Sequence, residues 1–188
     1  LRNSGKGWLT AEYGMLPSST NERMDREAAK GKQSGRTQEI QRLIGRSLRC
    51  AVNLDILGEK TVKIDCDVIS ADGGTRTASI IGGYVSLVRA INNHKKNYNL
   101  TKAIIVNQVA AISVGVVKGI ACIDLDYIED SGAEVDCNVV MASDGQFIEF
   151  QSTGEEAKFS KQTILDFIGL VENSMPEIFK AQNIAIEK

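Results

Sequence analysis

The strongest constraint on this chain is a strictly alternating run that breaks on two glycines and resumes at helical spacing. Over residues 61–69, Val62, Ile64, Cys66 and Val68 point one way while Lys63, Asp65 and Asp67 point the other, the period of a half-buried strand. Asp72-Gly73-Gly74 ends it. The spacing then predicts a helix over about 75–92, apolar at Ile80, Ile81, Tyr84, Leu87, Val88 and Ile91. A strand that bends on glycines into a helix start leaves amide N–H groups pointing outward beside the helix's partial positive end. With the Thr75 hydroxyl and the Arg76 guanidinium alongside, residues 70–77 hold the parts of an oxyanion cradle, although Asp-Gly-Gly is equally turn and cap chemistry. The G-x-x-x-x-G-K-[ST] spacing is absent, which excludes the usual NTPase loop.

Other segments follow the same logic. Ile40, Leu43, Ile44, Leu48, Ala51 and Val52 predict an amphipathic helix over 36–54, with Arg42, Arg46 and Arg49 as a solvated face. A polar loop is expected near 92–102. Two hairpins are expected next: 109–117 with 120–128 around Lys118-Gly119, and 137–142 with 146–151 around Asp144-Gly145. The tail over 161–186 is helical in pattern, and Pro176 predicts a bend or a break. With no repeat and no linker, residues 1–188 read as a single α+β domain, a mixed or antiparallel sheet with helices.

Composition narrows the function classes. A hydrophobic fraction of 43% over 188 residues buries a real core, and a net charge of −2 with two prolines excludes disordered and collagen-like chains. No apolar run has the length of a membrane span, and the first residues carry no signal-peptide core, so a soluble, cytoplasmic protein is expected. The start, without an initiator Met, looks cut. Cys50, Cys66, Cys122 and Cys137 form no C-x-x-C pair and read as buried structural thiols. The lone His94 reads as a solvated loop residue, so any mechanism must work without histidine. Charge is uneven: residues 1–50 hold ten Lys/Arg against five acids, +5, and the remainder 12 against 19, −7. A basic third on an acidic body suits a polyanion-binding face if those cations converge.

Two further clusters carry candidate chemistry. Asp124, Asp126, Glu129, Asp130, Glu134 and Asp136 follow the first hairpin; in an extended strand Asp124 and Asp126 share a face, and convergence of Asp124 with Asp130 is feasible. Such carboxylates either hold Mg²⁺ or line a solvated edge. Arg23 and Arg26, three apart in the polar stretch 17–26, either grip a phosphate backbone or pair with Glu22 and Asp25.

Long motifs then carry a resemblance. Gly7-Trp8-Leu9-Thr10-Ala11-Glu12-Tyr13-Gly14-Met15-Leu16-Pro17, the run from Asp25 through Ile44, Ala71-Asp72-Gly73-Gly74-Thr75-Arg76-Thr77, Ala110-Ala111-Ile112-Ser113-Val114-Gly115 and Asp124-Leu125-Asp126-Tyr127-Ile128-Glu129-Asp130-Ser131 resemble the ribonuclease PH family. The likeness runs from residue 1 to about 153 and fades in the last helices. It implies a phosphate-dependent 3′→5′ exoribonuclease that trims precursor tRNA tails. It implies that Arg36, Gly74, Thr75 and Arg76 bind inorganic phosphate, that Asp124 and Asp130 are the catalytic pair and hold Mg²⁺, and that Arg23 and Arg26 contact RNA. A hexameric ring of dimers is the family's assembly.

Two departures stand out. Ser18 replaces the family's usual Arg, which removes one RNA-backbone cation. The family's strand-rich N-terminal segment does not precede Leu1 in this sequence; if the biological chain starts at Leu1, a sheet loses strands and exposes apolar edges, and poor solubility or altered assembly is expected. A non-catalytic RNA-binding ring subunit, as in exosome-like assemblies, and a phosphate-binding scaffold without RNA are the competing functions.

Overall fold

The structure is a computed structural model that describes residues 4–98, 103–155 and 158–188. In chain order its elements are β1 (Trp8–Met15), a 3₁₀ turn (Glu27–Lys30), α1 (Gly35–Arg49), α2 (Leu54–Leu57), β2 (Thr61–Val68), α3 (Thr75–Tyr98), β3 (Val109–Val117), β4 (Ile120–Ile123), α4 (Tyr127–Ser131), β5 (Val135–Ala142), β6 (Phe147–Gly154) and α5 (Lys161–Glu187). β1 and β2 run parallel as a two-stranded sheet, and a second sheet is antiparallel in the order β4-β3-β5-β6. The mixed α+β architecture expected from sequence is therefore present.

Several boundaries differ for local reasons. β1 was not anticipated, although Leu9, Ala11 and Tyr13 are buried at period two. α1 ends at Arg49, because the Asn53 side chain accepts from the amides of Asp55 and Ile56 and starts α2 afresh. The loop expected at 92–102 is helical through Tyr98, placing the half-buried His94 on α3; residues 99–102 lie outside the described set. α5 runs on as one helix through Pro176, whose exposed position leaves the unpaired carbonyl of Glu172 to water.

The two hairpin turns form as expected. Lys118 and Gly119 both adopt positive φ, 52° and 75°, which suits the right-handed twist of the paired strands.

Two apolar layers meet at β3. Val109, Ala111 and, opposite on β5, Val140 join a core built with β1, α1 and α3. Ala110, Ile112 and Val114 join Phe167, Val171 and Met175 of α5 in the other. Burial on both faces is why β3 reads as an unbroken apolar run instead of an alternating one. Buried Gln182 ties α5 down: its Nε2 donates to Ile81 O at 3.3 Å and Val109 O at 3.0 Å, and its Oε1 accepts from Gln108 Nε2 at 2.9 Å.

Of the arginines expected as a solvated face of α1, Arg42 is exposed, whereas Arg46 and Arg49 act as struts. Arg46 forks onto Glu149 of β6 through Nε at 2.7 Å and an Nη at 2.6 Å. Arg49 donates to Leu9 O at 3.0 Å while lying 4.6 Å over the Trp8 ring. Of the cysteines, Cys137 is buried, with its thiol pushed up to about 12 by burial, but Cys50 at the end of α1 is exposed. No helix of the described residues is long and apolar enough to cross a membrane.

Replacing Gln182 by Ala removes its bonds to Ile81 O, to buried Val109 O and from Gln108 Nε2, and a loss of about 2–3 kcal/mol is expected. Urea denaturation checks it: the midpoint falls with the slope unchanged.

Candidate functional site

The site starts from the turn between β2 and α3. Gly73 and Gly74 take φ of 75° and 54°, and Thr75 opens α3. The turn is braced on several sides. Tyr13 Oη, from buried β1, lies 2.8 Å from Thr75 Oγ1, and Thr77 Oγ1 donates to Gly74 O at 2.8 Å. A Cβ on Gly73 would stand 2.5 Å from Leu125 O and 2.8 Å from the carbonyl carbon of Asp126, so only glycine lets the acidic loop come this close. Asp72 Oδ1 accepts from the Tyr127 amide at 3.2 Å across the same junction.

That acidic loop is fixed from β3 as well. Ser113 accepts the Asp124 amide at its carbonyl, 2.8 Å, and the Leu125 amide at its Oγ, 3.2 Å. Leu125 is buried and packs where Gly115 has no side chain; a Cβ there would meet its Cδ2 at 2.9 Å. Asp126 then caps α4 in a reciprocal box, accepting the Glu129 amide at 2.8 Å while Glu129 Oε2 accepts the Asp126 amide at 3.2 Å.

These contacts correct one expectation. The strand expected through residue 128 stops at Ile123, because Asp124 turns into the left-handed region at φ 56° to reach Ser113. Asp124 and Asp126 therefore do not share a strand face.

β3, β5 and β6 supply the opposite wall. The register pairs Ser113 with Asn138 and Gly115 with Asp136 across β3 and β5, and Asp136 with Thr153 and Asn138 with Gln151 across β5 and β6. These are the same face that buries Val109 and Ala111 further along, so the apolar layer gives way to a polar one where the helices end. α1 closes the side, with Glu39 Oε1 accepting from Gln151 Nε2 at 3.1 Å.

The result is a cavity of about 1570 Å³ that gathers Arg23, Arg36, Gly74, Thr75, Arg76 and Asp130. Neither Asp124 nor Arg26 is among the lining residues, and Asp25, a suggested partner for Arg23, pairs instead with Lys30 at 3.1 Å. Asp136, a member of the acidic cluster that the family resemblance does not single out, does line it. Its carboxyl is pushed above its ordinary value of 3.8, first by burial and then by Asp130 and Glu155, with Arg76 and Arg36 pulling the other way. Both arginines thus lie within electrostatic reach of one half-buried carboxylate. The overlooked signal was Asp136-Cys137-Asn138, two polar residues on one strand face flanking a buried thiol.

Two family models match the chain, domain 1 of the 3′ exoribonuclease family over residues 1–91 and domain 2 over 107–170. The chain belongs to the 3′ exoribonuclease family. Among solved structures it resembles Rrp46 of rice (Oryza sativa), with a TM-score of 0.78 and 16% identity over 99% of this chain and 76% of that one. It also resembles the Archaeoglobus fulgidus exosome with RNA bound to the active site, TM-score 0.75 and 14% identity over 94% and 71%. An archaeal exosome core gives 0.72 and 15% over 97% and 71%. At such identities these likenesses establish the ribonuclease PH-like fold.

Among the described residues no group of three or more His, Cys, Asp or Glu side chains is arranged for a metal. The donors nonetheless fit Mg²⁺, which takes one or two carboxylates and completes its shell with water and phosphate oxygens. Asp136 Oδ1 is buried without a hydrogen-bond partner, with Asp130 close enough to raise its pKa.

The sign of the shift gives a test. A carboxyl raised on folding is penalised when ionised, so its unfavourable contribution is present above the folded pKa and disappears as pH falls through that value toward 3.8. In metal-free buffer above neutral pH, Asp136→Asn is expected to melt a few degrees higher than the parent, and acidification should close the gap. Millimolar Mg²⁺ should raise the melting temperature of the parent and leave the variant unmoved. Thermal scans across pH, with and without the ion, check both.

Proposed function

We propose that this member of the 3′ exoribonuclease family is a phosphorolytic enzyme, removing nucleotides from the 3′ end of precursor tRNA with inorganic phosphate. One observation carries the reading: Arg36, Arg76 and the Gly73-Gly74 turn share a cavity with Asp130 and Asp136.

Phosphorolysis requires orthophosphate to approach an anionic phosphodiester. Arg36 and Arg76 offset that repulsion, and the Gly74 and Thr75 amides at the start of α3 orient the phosphate oxygens. An oxygen of hydrogen phosphate forms a bond to the terminal phosphorus, the bond to the bridging 3′-oxygen breaks, and that oxygen takes up the proton the hydrogen phosphate gives up as the shortened RNA leaves. The product is a nucleoside 5′-diphosphate, and because one phosphoester replaces another, the reaction runs backwards as nucleotide addition. Asp130 and Asp136 are the residues that would hold Mg²⁺, which would share the charge on the reacting phosphate oxygens. Positioning and charge neutralisation supply most of the rate. Arg23, which lines the same cavity, offers a contact for the incoming RNA backbone. Assembly as a hexameric ring of dimers belongs to the same reading.

The competing function, a ring subunit that binds RNA without cleaving it, leaves the joint presence of both arginines and both aspartates without a purpose.

A tRNA bearing extra 3′ nucleotides is expected to release nucleoside diphosphates only when phosphate is supplied. Equal release in its absence, or release of monophosphates, contradicts phosphorolysis, and tight RNA binding without any release supports the non-catalytic subunit. Arg76→Ala should raise the phosphate concentration needed for half-maximal rate by on the order of tenfold or more, with RNA binding mostly retained. Asp130→Asn should abolish turnover while phosphate still binds.

A further inference from the structure

Among the residues that line the cavity, two large hydrophobic side chains stand exposed. Tyr127 and Met24 both line it and stay 63% and 42% exposed. A single exposed aromatic on an open surface is ordinary. This one stands inside a cleft whose other walls carry arginines, carboxylates and amides.

Its backbone is also unusually well fixed for so exposed a residue. Tyr127 is the first residue of α4, directly after the Asp126 cap with its reciprocal Glu129 contacts. Its amide donates to Asp72 Oδ1 on the very turn that precedes Gly73 and Gly74. The ring is therefore presented to solvent from a rigid base beside the anion cradle, at low entropic cost for a partner that stacks on it. Nucleic-acid bases are the flat partners that come attached to phosphates, and they stack on aromatic side chains whatever their sequence.

Resting on the RNA reading above, we propose that Tyr127, with Met24 of the 17–26 stretch as a second apolar contact, stacks on the base of the nucleotide at the RNA 3′ end. The cleft thereby senses that a base is present without reading which one it is, as suits an enzyme that must accept each successive nucleotide. Arg36 and Arg76 hold the anionic part of the reaction, while Tyr127 supplies an uncharged contact.

The test uses the full chain without phosphate, so that no turnover occurs, and measures binding of two single-stranded oligoribonucleotides by fluorescence anisotropy. One ends in an ordinary nucleotide and the other in the same nucleotide lacking its base. The parent should bind the intact end about tenfold more tightly. Tyr127→Ala should lose that preference with its salt dependence unchanged, and Tyr127→Phe should keep it. A Tyr127→Ala protein that still discriminates overturns the proposal. So does one that keeps the discrimination but changes its sedimentation behaviour, which assigns the ring to a protein interface. A parent that binds both ends equally removes stacking alone, whereas a parent that binds neither RNA at low salt removes the exoribonuclease reading as well.

Discussion

The site depends on one close approach, that of the Leu125-Asp126 backbone to Gly73. At 2.5 Å from Leu125 O to the place a Cβ would occupy, the glycine turn and the acidic loop are in contact as backbone on backbone, with no side chain between them. The glycine turn from the β2–α3 half of the chain and a carboxylate-bearing strand from the β3–β6 half can face the same hollow because of it. Ser113 and Gly115 serve the same junction from β3, one by accepting two amides and the other by leaving room for Leu125.

How much of this could be read from sequence follows from the range of the interactions. The β2-turn-α3 unit was legible because its signals are local: a period of two, two glycines, then a period near four. The hairpin turns were legible for the same reason. α1 was placed correctly in its interior but ended early, since the Asn53 cap competes with continued helix. The course of the chain at Asp124 was not legible. Its departure from the strand is caused by Ser113, eleven residues away in sequence, and no local periodicity reports a hydrogen bond of that reach. Asp136 was named within the acidic cluster but not singled out from it, because its inward direction comes from the pairing of β5 with β3 at Gly115, a matter of register. The family resemblance located the neighbourhood, and the fold decided which carboxylates within it line the cavity.

The basic first third of the chain is likewise divided by packing. Arg36 and Arg23 reach the cavity, whereas Arg46 and Arg49 are spent on Glu149, Leu9 and Trp8. Net charge alone does not distinguish a cation that meets a ligand from one that braces a helix, and here α1 carries both kinds along fifteen residues.

β3 has a consequence of its own. Its odd positions run from the first apolar layer into the polar wall, and its even positions lie under α5. Sliding this strand by a single residue would push Ser113 beneath the helix and turn Ile112 toward the cavity. Misthreading would thus damage the core and the cavity in the same stroke, so a molecule that has packed properly has already checked the alignment of its own polar wall.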